Sequence, residues 1–109
     1  MKYQVWYHKD YGSVYPESIV LSDLEASHAM IAVVEAEDPE EVFFKMQGEV
    51  WSPNGEARPL IKALGLRHTT MSVGDVVVDA EGVAHAVDLC GFYRLGAASP
   101  YLEPFKPVV

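Results

Sequence analysis

Val76-Val77-Val78, followed at once by Asp79-Ala80-Glu81-Gly82, constrains this chain more than any other stretch. Three consecutive β-branched residues read as a buried strand. The four residues after them have hairpin chemistry, with Gly82 suited to the left-handed position. Such a strand needs partners, and the sequence supplies them. Tyr3, Val5 and Tyr7 alternate with Gln4, Trp6 and His8, which predicts a strand over 3–8 with aromatic side chains on both faces. Residues 29–36 alternate in the same way, and 83–89 return from the hairpin with Val83, His85, Val87 and Leu89 on one face. Gly91 breaks that strand and 92–95 add a short last one.

Two helices are expected between these strands. Asp38 is an N-cap, Pro39 fits the first helical position and Glu41 completes a capping box, so a helix runs over 39–47 and stops at Gly48. Val42, Phe43 and Met46 form its apolar stripe. A second starts near Pro59, with Leu60, Ile61 and Leu64 apolar, and stops at Gly65. Ser52-Pro53-Asn54-Gly55 is a turn within the connection 49–59, and Ser22-Asp23-Leu24-Glu25 can cap a single helical turn. In the loop 9–18, Tyr11 and Tyr15 are either exposed contacts or covers of a core edge. The expectation is an α+β domain over 1–96: an antiparallel sheet of four to five strands with two short helices covering one face. Residues 97–109 are expected to form a Pro-rich extended tail.

A chain of 109 residues, half of them hydrophobic, holds one core. No apolar run reaches the roughly 18 residues of a membrane span, and Met-Lys-Tyr-Gln-Val-Trp lacks a signal-peptide core. The single cysteine, Cys90, excludes an internal disulfide and fits a reducing compartment, so a cytoplasmic location is expected. Charge is unevenly spread. Residues 1–57 carry eleven acids and three lysines, a sum of −8, whereas 58–109 carry five acids and five bases. The acids gather at Glu35, Glu37, Asp38, Glu40 and Glu41. Such a field repels phosphates and argues against direct nucleic-acid binding. It is either a solvated helix start or a surface that attracts a basic protein.

No catalytic or cofactor constellation stands out. A metal site can be composed from His68, His85, Asp88 and Cys90, but no His-x-x-x-His or Cys-x-x-Cys spacing supports it; no metal or cofactor is expected. Cys90, following Leu89, reads as an inert core cysteine. Ser72 and Thr70 lie near His68 without a nucleophile-elbow pattern, and their hydroxyls suit turn capping. Asp75 suits a turn acceptor for unpaired backbone N–H groups, and Gly74 a positive φ or a close backbone approach. Trp51, Asn54 and Arg58 form a compact turn whose Trp and Arg are typical interface anchors, with Trp51 as a core plug the competing reading. Candidate partner-binding residues are therefore Glu37, Asp38, Glu40, Glu41, Trp51, Asn54 and Arg58. Candidate structural-motif residues are His68, Thr70, Ser72, Gly74, Asp75, Gly82, Gly91 and Phe92.

Residues 67–78 with Gly91-Phe92 resemble a segment of the His-Thr-Ser-Met-Ser-Val-Gly-Asp-Val type carried by small proteins of plasmids, integrative elements and phages. The Ser-Val-Gly-Asp-Val core and the Gly-Phe are similar to the YodL-like domain. Phe44-Lys45-Met46-Gln47 and the run from Trp51 to Leu60 extend the resemblance over roughly 43–95, with Thr70 standing where serine is usual. The resemblance implies an accessory protein of a mobile genetic element without established catalytic residues. The expected function is thus non-enzymatic binding of a protein with a basic surface, with no membrane or nucleic-acid partner and with a homo-oligomer left open. The alternative is an acidic DNA mimic that inhibits a host defence system.

Overall fold

The computed structural model describes residues 1–10 and 14–98, so Tyr11, Gly12 and the expected tail beyond residue 98 lie outside the described residues. Five strands form one antiparallel sheet: β1 (Lys2–His8), β2 (His28–Glu35), β3 (Val76–Val78), β4 (Val83–Asp88) and β5 (Gly91–Ala97). Their order is β2-β1-β3-β4-β5. The α+β expectation and its strands hold, with β5 running to Ala97 and Ala98 N–H bound to the Gly82 carbonyl. β3 takes the centre because all three valines are apolar on both faces, and none is more than 2% exposed. The hairpin after it forms as its chemistry dictates. Asp79 Oδ1 accepts the N–H groups of Glu81 and Val83, and Gly82 has φ +82°.

Four short helices accompany the sheet: α1 (Leu24–Ser27), α2 (Pro39–Lys45), α3 (Gly48–Trp51) and α4 (Arg58–Ala63). The start of α2 is as expected, with Asp38 Oδ1 accepting Glu41 N–H. Glu41 Oε1 in return accepts the N–H of Glu37, one residue before the cap. The helix ends two residues earlier than expected, because Gln47 is extended (φ −71°, ψ 139°) and a separate turn begins at Gly48. Gly48 is a point of close approach and not a helix stop. Its N–H donates to Thr70 Oγ1, and a Cβ there would lie 2.8 Å from that oxygen. α4 ends as expected at Gly65, with φ +71° and Leu66 N–H returning to the Ile61 carbonyl.

The sheet is covered on both faces, and the two helices expected from the sequence lie over one of them. Tyr3, Val5, Tyr7, Val77 and Val87 project to one side, where Val42, Met46, Ala57, Ile61, Leu66 and Met71 close the core. Trp6, Val76, Val78, Ala84 and Ala86 project to the other and meet Leu24 and Ala98, with Ile19, Leu21 and Leu95 at the margin. That second cover is built from α1 and two 3₁₀ turns, Pro16–Ser18 and Leu21–Asp23. Elements of three or four residues show no apolar period, so the sequence hides them. No helix among the described residues is long and apolar enough to cross a membrane.

Candidate functional site

The loop between α4 and β3 is the hub of the molecule. Its length lets one carboxylate reach back to its own start, and Asp75 does so from full burial. Asp75 Oδ2 accepts Ser72 N–H and Oδ1 accepts His8 N–H across the sheet end, 2.8 and 2.9 Å away. His68 Nε2 lies 2.9 Å from Oδ1 and 2.8 Å from Oδ2, and since a carboxylate accepts, that nitrogen carries the proton. The expected turn-acceptor role of Asp75 is therefore met, and His68 is added to it. The rest of the loop is tied in as firmly. Tyr7 O–H and Trp51 Nε1–H both donate to the Thr69 carbonyl, and Met71 N–H donates to that of Met46. Ser72 Oγ donates to the Thr70 carbonyl and so is not aimed as a nucleophile at His68.

Three of the four histidines, widely separated in sequence, meet here. β1 ends at His8 and β2 begins at His28, and the two are paired across the antiparallel ladder. The His68 ring stacks against Tyr7 (centroids 4.6 Å apart) and against His8 (4.5 Å), while His8 meets His28 edge-on at 6.3 Å. His28 Nε2 must donate to the Gly74 carbonyl, which leaves Nδ1 to accept Ser27 O–H at 2.7 Å. A neutral ring is fully satisfied in that arrangement. Burial pushes the His28 pKa below its usual value against the opposing pull of the Gly74 carbonyl and Asp75, and burial does the same to His8 against Asp75. Burial first, and then Asp75, raises the Tyr7 phenol, which stays a donor.

These shifts set a pH dependence. The folded-state pKa values of His8 and His28 lie below about 6.5, their unfolded value. Above about pH 6.5 both states are neutral and the stability is fully present. As pH falls through about 6.5 the unfolded chain takes up protons first, and stability declines. Urea unfolding at pH 7.5, 6.5 and 5.5 should show this decline; a flat profile contradicts it.

Other expected sites fall elsewhere. The composed set His68, His85, Asp88 and Cys90 does not converge. His85 pairs with Asp79 at 3.2 Å, Asp88 accepts Leu89 N–H, and Leu89-Cys90 form the exposed two-residue turn between β4 and β5. Cys90 is therefore not a core cysteine, and Leu89, 87% exposed, lies in the turn beyond the strand. Asp88 pairs with Gly91 at that turn, where the backbone needs the positive φ (+113°) that Gly91 supplies. Phe92 then packs at the margin of the helix-covered core.

Glu40 and Arg58 line different depressions. Glu40 and Phe43 of α2 face Val87, Asp88, Leu89, Gly91 and Phe92 across an apolar groove. Arg58 lines a second hollow with Ile61, Lys62, Gly65, Leu66, Arg67 and Thr69. Asn54 is exposed, its N–H bound by Glu56 Oε1. Trp51 is half-buried against the core with its indole N–H satisfied by Thr69. Trp51→Ala should therefore destabilise by about 2–4 kcal/mol, from lost packing and one lost hydrogen bond to a carbonyl that Tyr7 still satisfies. A change below about 1 kcal/mol in urea unfolding restores its reading as an exposed anchor. Comparison with protein-family models, curated proteins and solved structures gave no match.

Proposed function

We propose that the chain is a non-enzymatic protein-binding accessory of a mobile genetic element, acting in the cytoplasm through the groove between α2 and the β4–β5 turn. One observation carries the binding reading. Phe43, Leu89 and Phe92 line an apolar depression floored by the buried Val87, which Glu40 and Asp88 also line, and the next residue of α2, Phe44, is 65% exposed. Apolar surface with one sign of charge at its rim is the pattern of a docking site. The complementary occupant is a segment of a basic protein that places a bulky apolar residue in the groove and Lys or Arg over Glu40, Asp88 and the helix-start acids Glu37 and Asp38. The mobile-element assignment rests on the resemblance over roughly 43–95.

The DNA-mimic reading asks Glu35, Glu37, Asp38, Glu40, Glu41 and Glu49 to act together as a phosphate-like face. Asp38 and Glu41 are engaged in capping α2, and Glu35 holds the N-terminal ammonium at 2.9 Å. The groove reading needs neither Glu35 nor Glu41.

Selection from a displayed random-peptide library tests the proposal. Enriched peptides should carry Lys or Arg around a bulky apolar residue, and Leu89→Asp should abolish their binding. Glu40→Lys should slow association and flatten its salt dependence. Glu41 is left intact because its carboxylate holds the helix start. Enrichment of acidic or purely apolar peptides, or binding indifferent to both variants, rules the groove out. Sedimentation of the free chain addresses a second copy as the occupant.

A further inference from the structure

We propose that His8, His68 and Asp75 bind one divalent transition-metal ion of the zinc class through two imidazoles and a carboxylate. One ligand atom from each residue already lies within 4.8 Å of the others. His68 Nε2 is 2.8 Å from Asp75 Oδ2, and His8 Nε2 is 3.8 Å from Asp75 Oδ1. A tetrahedral ion with bonds of about 2.0–2.1 Å holds its ligand atoms roughly 3.3 Å apart. The set reaches that spacing by moving His8 inward and His68 slightly outward, the ion taking the place of the His68 Nε2 proton.

The state of His8 is a second and independent pointer. Its side chain is 94% buried, since only 6% of it is exposed, yet Nδ1 has no hydrogen-bond partner. Nε2 stands 3.8 Å from Asp75 Oδ1, too far for a hydrogen bond. Native folds leave few buried polar atoms unmet, and each calls for a reason. Coordination through Nε2 uses the ring nitrogen that lies 3.8 Å from Asp75 Oδ1 and fixes the ring proton on Nδ1.

Asp75 is prepared for the same task. Oδ1 takes His8 N–H and Oδ2 takes Ser72 N–H, which leaves one lone-pair site on each oxygen for a cation. Such backbone anchoring is the outer support that ligating carboxylates have. Stacking between Tyr7 and His8 holds the His68 plane, and the 18% exposure of the His68 side chain provides an entry path. Three protein ligands leave a fourth position for water. Two imidazole nitrogens with one carboxylate favour Zn²⁺, Co²⁺, Ni²⁺ or Fe²⁺ over Mg²⁺ and Ca²⁺, which prefer oxygen alone. The ion braces the end of β1 to both ends of the hub loop.

Equilibrium dialysis of the full chain against Co²⁺ and Zn²⁺, after treatment with chelator, tests the site. The expected result is one ion per chain, the visible bands of low-coordinate Co²⁺, and at least a tenfold affinity loss in both His8→Asn and His68→Gln. Histidine ¹⁵N spectra of the wild-type chain during a Zn²⁺ titration keep the test independent of variant folding. The His8 and His68 ring resonances should shift and those of His85 should not. Absence of stoichiometric uptake overturns the proposal. So do unchanged affinity in both folded variants and shifts confined to His85, whose pairing with Asp79 near the surface makes it the adventitious competitor.

Discussion

Asp75→Ala should destabilise the fold by about 3–5 kcal/mol, the largest effect expected of any single side-chain truncation in this chain. The carboxylate is fully buried and is the shared acceptor of three donors: His8 N–H, Ser72 N–H and His68 Nε2–H. Alanine leaves all three facing a cavity, and buried donors without acceptors each cost about 1–3 kcal/mol. Asp75→Asn should come close to the same loss. Its amide oxygen can accept one backbone N–H, but its NH₂ group then faces the other, a donor against a donor. His68→Gln should cost less, because an amide N–H can still reach the carboxylate and the ring is partly exposed. Urea unfolding at pH 7.5 with chelator present measures the three without any contribution from bound metal. A loss under about 1 kcal/mol for Asp75→Ala shows that the carboxylate is dispensable to the hub.

The strands and the start of α2 were legible because their signals are local. Val76 to Val78, the Asp79–Gly82 turn and Asp38-Pro39-Glu40-Glu41 each contain the residues that determine their own backbone. The second sheet cover was not, since Ile19, Leu21 and Leu24 belong to elements too short to show a period. Gly48 misled for a physical reason. A glycine after an apolar helical stripe reads as a stop, but its role here is to let Thr70, twenty-two residues on, approach its backbone. Within the site, Asp75 and His68 were singled out as motif residues without their bond to each other. His8 and His28 belong to no motif. One signal was available: strands ending at His8 and beginning near His28, if antiparallel neighbours, place both rings at the same end of the sheet. Nothing in the sequence told that this end is also where Asp75 enters β3.

Gly74→Val should cost about 2–5 kcal/mol, and for two separable reasons. The backbone at Gly74 has φ +93°, a conformation that an L side chain adopts at a penalty of about 1–2 kcal/mol and a β-branched one more reluctantly. An added Cβ would also lie 2.6 Å from Val14 Cβ and 2.8 Å from the Val14 carbonyl oxygen. A backbone oxygen cannot swing aside as a long side chain does, so the segment around Val14 must be displaced, at about 1–3 kcal/mol for an overpacked contact. The displacement is not free to go the other way. Gly74 N–H is bound to the Val87 carbonyl, its own carbonyl accepts His28 Nε2–H, and Asp75 follows directly. Gly82→Ala isolates the first reason, because φ there is +82° and nothing lies within 4 Å of an added Cβ. It should lose only the left-handed penalty of about 1 kcal/mol. Gly74→Ala should exceed it by the cost of the Val14 contact, and Gly74→Val should exceed both. Equal losses for the two alanine variants in urea unfolding show that the approach of Val14 yields without cost and that conformation alone explains the glycine.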